Sequence, residues 1–290
     1  MNVLVTGGTG FVGKFICEYM VNLGYEVTAT YRNHKPQKNM KGIQYVRQEL
    51  SEKIDIAGKF DAIVHTACSK SGAELQMEEY VRDNIDSAKR IVEYARKNGV
   101  KTIVYFSTRS VYGEIRQSEV VEETDIINPG KYGVTKGIAE KIFAEAHDLN
   151  TLGLRTPGII GPRAHDIWLV NIVNKILKGQ DVEVSNFNTK NLVWLNDIAR
   201  FICTMIEKSS RGGDFKYSVV NLACKDTINN IEIANIAKQR LESDSKLIIH
   251  EPSSSLFLLN ADKAFEMGFE PSTPVQIINE YLDYIVAYNK

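Results

Sequence analysis

No stretch of this 290-residue chain has the run of about 18 apolar residues that a membrane span needs, so nothing is expected to cross a bilayer. Charge of one sign is missing as well. Lys and Arg number 35 against 36 Asp and Glu, a net charge of −1, which offers no electrostatic footprint for nucleic acid or an anionic membrane. Any anionic ligand must then be held by local groups. Cysteine is scarce: Cys17, Cys68, Cys203 and Cys224 stand apart, without C-x-x-C or Cys/His ligand spacing. That pattern excludes a disulfide framework and a metal site, and it predicts buried or half-buried free thiols in a reducing compartment. No basic segment precedes the short apolar run Val3, Leu4, Val5, so the opening reads as a strand and the expected location is the cytoplasm. Repeats, linkers and low-complexity segments are also missing.

What is present is a rhythm. Short β-branched runs at 2–6, 26–31, 43–46, 62–66, 101–107 and 151–155 alternate with stretches of helical period. The first of these stretches carries Phe11, Val12, Phe15, Ile16, Tyr19, Met20 and Leu23 on one face, and Gly24 stops it. Longer ones cover 78–97 and 131–147. Apolar strands joined by helices predict an α/β fold, a Rossmann-type doubly wound parallel sheet. Beyond Arg155 the rhythm loosens, with helices expected near 166–178, 196–207, 229–241 and 273–287 and short strands at 182–185, 192–195, 219–222 and 247–250. The expected organisation is a Rossmann domain over 1–155, rejoined by segments around 191–222, and a smaller, interleaved C-terminal substrate-binding lobe over 156–290.

The first strand runs directly into Gly7-Gly8-Thr9-Gly10-Phe11-Val12-Gly13. Glycines at this spacing permit a tight turn, let a pyrophosphate approach bare backbone, and let the helix pack closely on the strand. The helix N-terminus adds N–H donors and partial positive charge. Gly7, Gly10, Phe11, Val12 and Gly13 are therefore candidate dinucleotide contacts. A site selective for NAD carries an acid at the end of the second strand, for the ribose hydroxyls. Here that strand ends Tyr31-Arg32-Asn33-His34-Lys35, with no acid. Arg32 stands where a 2′-phosphate would lie, so NADP(H) is favoured, with NAD(H) left open.

The strand at 101–107 leads into Ser107-Thr108-Arg109-Ser110-Val111-Tyr112-Gly113, and Tyr132-Gly133-Val134-Thr135-Lys136 follows further along. On a helix, Tyr132 and Lys136 share a face one turn apart. A nearby ammonium and a positive nicotinamide ring both favour the phenolate, which predicts a tyrosine poised for proton transfer near neutrality. With these pieces in order, the chain resembles the extended short-chain dehydrogenase/reductases, the NAD-dependent epimerase/dehydratase family. The resemblance takes in the glycine loop, Ala62–Ala67, Asn84, Ser107-Thr108 with Tyr112-Gly113, and Tyr132/Lys136. It continues through Arg155 with Gly161-Pro162, Asp197, and the run Met267-Gly268-Phe269-Glu270-Pro271. It implies Tyr132 as general acid/base, Lys136 on the nicotinamide ribose, and Thr108 on the substrate oxygen. Ala67 and Ser107 would line the cofactor cleft, Asn84 would stand near the nicotinamide end, and Glu49 falls where the family has an aspartate near adenine. It also implies a homodimer.

The dehydratase branch has Asp-Glu after the catalytic Thr, whereas Thr108 is followed by Arg109-Ser110, which sets dehydration aside. The favoured reading is an NADPH-dependent reductase of a keto-sugar nucleotide. A nucleotide-sugar 4-epimerase with tightly bound NAD, a reductase of a non-nucleotide ketone or aldehyde, and a non-catalytic dinucleotide sensor remain as alternatives. Arg163 and Lys190 are the candidate groups for a substrate phosphate. Glycine at position 158, where nucleotide-sugar enzymes have asparagine, weakens that substrate class. So does the lack of any arginine after Arg240.

Overall fold

Val3, Leu4, Val5 and Thr6 are all buried, and this run of consecutive apolar and β-branched residues forms β1 (Asn2–Thr6), a strand covered on both faces. The computed structural model describes residues 1–36, 40–69, 74–215, 217–252 and 256–288. Six further strands complete the main sheet: β2 (Glu26–Tyr31), β3 (Ile43–Arg47), β4 (Ala62–His65), β5 (Thr102–Thr108), β6 (Asn150–Thr156) and β7 (Tyr217–Asn221). Their order is β7-β6-β5-β4-β1-β2-β3, and the β1–β2, β2–β3, β1–β4 and β4–β5 pairs are parallel. The order reverses between β1 and β4. In open α/β sheets a crevice forms there, beyond the carboxyl ends of the strands.

Helices α1 (Phe11–Asn22), α2 (Met77–Tyr80), α3 (Ser87–Asn98) and α4 (Lys131–Ala144) connect these strands. Leu4, Ile63 and Ile103, from three neighbouring strands, pack with Ile91, Val92 and Ala95 of α3 and Phe143 of α4. Burying each such aliphatic side chain contributes roughly 1.5–3 kcal/mol. Between α2 and α3 the helix winds as a π-helical turn, Val81–Asp86. The single long helix expected over 78–97 is therefore one helical run with a change of winding inside it. Gly99, in the left-handed region at φ 71°, closes α3.

The chain divides into two compact units. The first comprises Met1–Glu114, Glu122–Arg155 and Ala199–Val220, and the second Ile115–Val121, Thr156–Ile198 and Asn221–Lys290. In the second, short strands pair two by two. Gly158–Ile160 lies parallel to Leu192–Trp194, Val182–Ser185 to Leu247–His250, and Glu119–Val120 to Leu258–Leu259. Its helices include Trp168–Leu177, Pro274–Tyr288 and Asn230–Arg240, the last capped by the Asn229 side chain accepting from the Ile231 N–H at 2.9 Å. Among the described residues no helix is long and apolar enough to cross a membrane.

Candidate active site

The glycine turn sits at the sheet's reversal point and is fixed by its neighbours. Gly7 adopts φ 68°, and its N–H donates to Thr30 Oγ1 at 3.1 Å. A Cβ on Gly7 would lie 2.9 Å from the Ala67 backbone. A Cβ on Gly13 would lie 2.3 Å from the Gly7 carbonyl oxygen and 2.6 Å from Thr66 Oγ1, so α1 can lie this close to β1 and β4 only with glycine there. Gly10 differs: a Cβ would meet nothing nearer than the Gly7 oxygen at 3.3 Å. Internal packing asks far less of this position than of Gly13, and its bareness leaves backbone open to a ligand. Gly10 is the N-cap of α1 without a side-chain cap, and the first turn holds no acid, so the positive end of the helix dipole is not neutralised locally. Phe11 and Val12 open that turn half-buried. These features fit a dinucleotide pyrophosphate.

At the end of β4, Thr66 Oγ1 donates to the Thr6 carbonyl at 2.6 Å and the Ala67 N–H reaches Thr6 Oγ1 at 3.4 Å. Thr6 Oγ1 also hydrogen-bonds His65 Nδ1 at 2.8 Å. Burial, aided by the Lys136 charge, pushes His65 down to about 3, so this imidazole is neutral. β5 ends with Ser107 and Thr108. The Ser107 hydroxyl donates to Glu140, inside the protein. Thr108 caps the following 3-10 turn, its Oγ1 accepting from the Ser110 N–H at 3.1 Å.

Lys131–Ala144 starts after Pro129-Gly130 and brings Tyr132, Lys136 and Glu140 onto one face at successive four-residue steps. The Tyr132 hydroxyl neighbours the Thr108 hydroxyl and the Cys68 thiol. Burial raises the Tyr132 pKa well above the ordinary phenol value, and the Cys68 side chain adds to that rise. Lys136 is buried, and burial lowers its pKa. Within the protein alone, burial thus acts on the phenol in the direction opposite to the ammonium and nicotinamide charges on which the expected poise depends. Asn84, on the π-helical turn, donates to Thr135 Oγ1 at 2.9 Å and accepts from the Ser69 N–H at 3.2 Å, tying that turn to α4 and to the loop after β4.

Below Lys136, the Glu140 carboxylate accepts from Arg155 at Nε (3.0 Å) and Nη2 (2.7 Å), and Arg155 Nη1 donates to the Tyr112 hydroxyl at 2.9 Å. Both charged side chains are almost entirely buried, 9% and 5% exposed. A cavity of about 730 Å³ opens beside the phenol, lined by Tyr80, Arg109, Lys131 and Tyr132 together with Glu74 and Glu114. The rings of Tyr80 and Tyr132 lie 6.2 Å apart.

Arg32 directly follows β2 with its guanidinium on Asp83, and Glu49 Oε2 lies 3.9 Å from it. Arg163 and Lys190 belong to the second unit. Arg163 is exposed in a left-handed turn at φ 69°, and the Lys190 carbonyl accepts from Cys224. Cys17, Cys203 and Cys224 are buried, but Cys68 is exposed and borders the phenol, so the thiols are not uniformly interior as their scatter suggested. Sequence reasoning also passed over Glu140, although its position four residues after Lys136 was a readable signal. Asp83, Tyr80 and Arg109 carried no comparable one.

A family model described as "NAD dependent epimerase/dehydratase family" matches residues 3–223. The chain is 32% identical over 174 residues to a 2-alkyl-3-oxoalkanoate reductase of Stenotrophomonas maltophilia (strain K279a), a match spanning 56% of this chain and only 52% of that protein. It is 23% identical to a dTDP-4-dehydro-6-deoxy-D-allose reductase of a Streptomyces species, over 93% of this chain and 92% of the other. The crystal structure of UDP-glucuronic acid 4-epimerase from Bacillus cereus in complex with NAD superposes with a TM-score of 0.82 at 19% identity, over the full length of both chains.

Proposed function

This chain belongs to the NAD dependent epimerase/dehydratase family, and from that premise we propose that it is an NADPH-dependent reductase acting on the ketone of a sugar nucleotide. The observation that carries the proposal is the placing of the Tyr132 phenol beside Thr108, on the same helix face as Lys136 and in the unit that holds the bare glycine turn. A nicotinamide dinucleotide, when bound, supplies hydride to a substrate carbon and brings positive ring charge in its oxidised form. The turn Gly7–Gly13 would hold its phosphates, Arg32 a 2′-phosphate, and Lys136 its nicotinamide ribose. Thr108 would donate a hydrogen bond to the substrate carbonyl oxygen while Tyr132 gives that oxygen its proton. Desolvation keeps the phenol protonated, which is the form a proton donor needs. Arg163 and Lys190, on the second unit, are proposed to bind substrate phosphate.

Arg109 favours a second reading. It follows Thr108 directly and lines the cavity beside Tyr132, where a cation suits a substrate carboxylate next to the reacting carbonyl. The 2-alkyl-3-oxoalkanoate reductase relative supports a 3-oxo acid on the same grounds. The deciding experiment follows NADPH and NADH consumption with keto-sugar nucleotides, 3-oxo acids and simple ketones, for wild type and Tyr132→Phe. Tyr132→Phe is expected to lower turnover by about 10²–10⁴-fold. Unchanged turnover removes the mechanism. Wild-type protein purified with NAD bound and showing no net consumption would point to epimerisation, and binding without any turnover to a sensor.

A further inference from the structure

Arg32 is already engaged. Its Nη1 donates to Asp83 Oδ1 at 2.8 Å. Asp83 comes from the π-helical turn, and its side chain is 9% exposed against 44% for Arg32. Asp83 is held from two further directions: Oδ1 accepts from Arg82 Nε at 2.8 Å, and Oδ2 from Ser69 Oγ at 3.0 Å. Burial works to raise its pKa, and the hydrogen bonds from Arg82 and Arg32 more than reverse that, so the carboxylate stays ionised. Asp83 is the fixed member of the pair. Arg32, long and half-exposed, is the member free to turn.

A 2′-phosphate and this carboxylate are both anions that suit the planar fork of one guanidinium. A ribose with a free 2′-hydroxyl is neutral. It leaves the ion pair intact, and its hydroxyl can donate to a carboxylate. We propose that Asp83 sets the NAD/NADP preference of this site by holding Arg32 back from a 2′-phosphate. The inference rests on the reading that the glycine turn binds a dinucleotide. When Arg32 turns away, Asp83 keeps Arg82 and Ser69, so NADP binding is weakened by Asp83 without being abolished.

The test is calorimetric titration of the full chain with NAD⁺ and with NADP⁺, reading the ratio Kd(NAD)/Kd(NADP). Asp83→Asn is expected to raise that ratio about three- to tenfold, the scale of a partly exposed ion pair. In an Arg32→Gln background the same substitution should leave the ratio where it was. Arg82→Gln, made at the outer partner, removes a competitor for Asp83 and should shift the ratio the other way, which keeps the test open if Asp83→Asn does not fold. A ratio that moves by less than twofold in both Asp83→Asn and Arg82→Gln overturns the inference, as does a shift that persists without Arg32. If wild type binds neither nucleotide, the dinucleotide reading falls and takes this one with it. If wild type binds and only the ratio fails to respond, this one falls alone.

Discussion

Replacing Glu140 by Gln tests the buried charge network directly. The substitution keeps the side chain's size and one acceptor oxygen. It puts an amide N–H₂ where a second oxygen now accepts, either against Arg155 Nη2 at 2.7 Å or against Arg155 Nε and the Ser107 hydroxyl. In both orientations a donor faces a donor, and the guanidinium loses the carboxylate that pairs with it in a place that is 9% exposed. Removing one partner of such a pair costs about 3–5 kcal/mol, because the survivor remains charged and buried. Arg155 keeps its bonds to the Tyr112 hydroxyl and the Glu122 carbonyl, and its Cζ lies 4.8 Å from the centre of the Tyr112 ring. The lower end, about 3 kcal/mol, is therefore expected. For a chain of this size each kcal/mol lowers Tm by about 2–4 °C, giving a fall of roughly 6–12 °C. The assay is urea unfolding followed by circular dichroism, with a lower midpoint and an unchanged m-value. Adding Arg155→Met should recover at least ~1 kcal/mol, since it removes the stranded charge. A Glu140→Gln cost below ~1 kcal/mol, or no recovery in the double variant, would show that Arg155 is not the isolated cation described above.

Two further outcomes follow from the glycine turn and from His65. Gly13→Ala forces a Cβ against the Gly7 oxygen and should destabilise the fold by ~1–3 kcal/mol, whereas Gly10→Ala, which gives up a glycine N-cap and only presses on the Gly7 oxygen, should cost less than ~1 kcal/mol yet weaken dinucleotide binding. Equal effects of both on Tm would contradict the division of labour between them. His65, depressed to about 3, refuses a proton that the unfolded chain accepts below about 6.5, so stability should fall as pH drops across that window, by up to ~1.4 kcal/mol per unit. His65→Asn, whose amide can still reach Thr6, should flatten that slope in urea titrations between pH 6.5 and 4. An unaltered slope would mean the imidazole is not the group refusing the proton.

The doubly wound sheet was legible because its evidence is local and repeated. The strand expected over 101–107 spans Thr102–Thr108, and those expected over 2–6 and 26–31 fall on Asn2–Thr6 and Glu26–Tyr31. The two-residue strands Asn188–Thr189, Ile228–Asn229 and Leu258–Leu259 escaped, because so short a run has no period of its own and forms only when a partner from elsewhere pairs with it. The site divides the same way. Glycine spacing and the four-residue step from Tyr132 to Lys136 are written along the chain. The pairing of Arg32 with Asp83 joins residues on separate elements, and the rise of the Tyr132 pKa comes from surrounding bulk, so neither leaves a mark in a motif.

The π-helical turn Val81–Asp86 carries one consequence for how this chain can vary. Such a turn accommodates an extra residue in an otherwise α-helical run. Deleting a single position within it would restore α winding and rotate everything upstream relative to α3 by about 100°. Tyr80 would swing off its place beside Tyr132, and the wall of the cavity would be rebuilt with no substitution in the glycine turn or in α4. Loss of one codon there could re-aim an entire face of the pocket while the sheet beneath it stayed as it is.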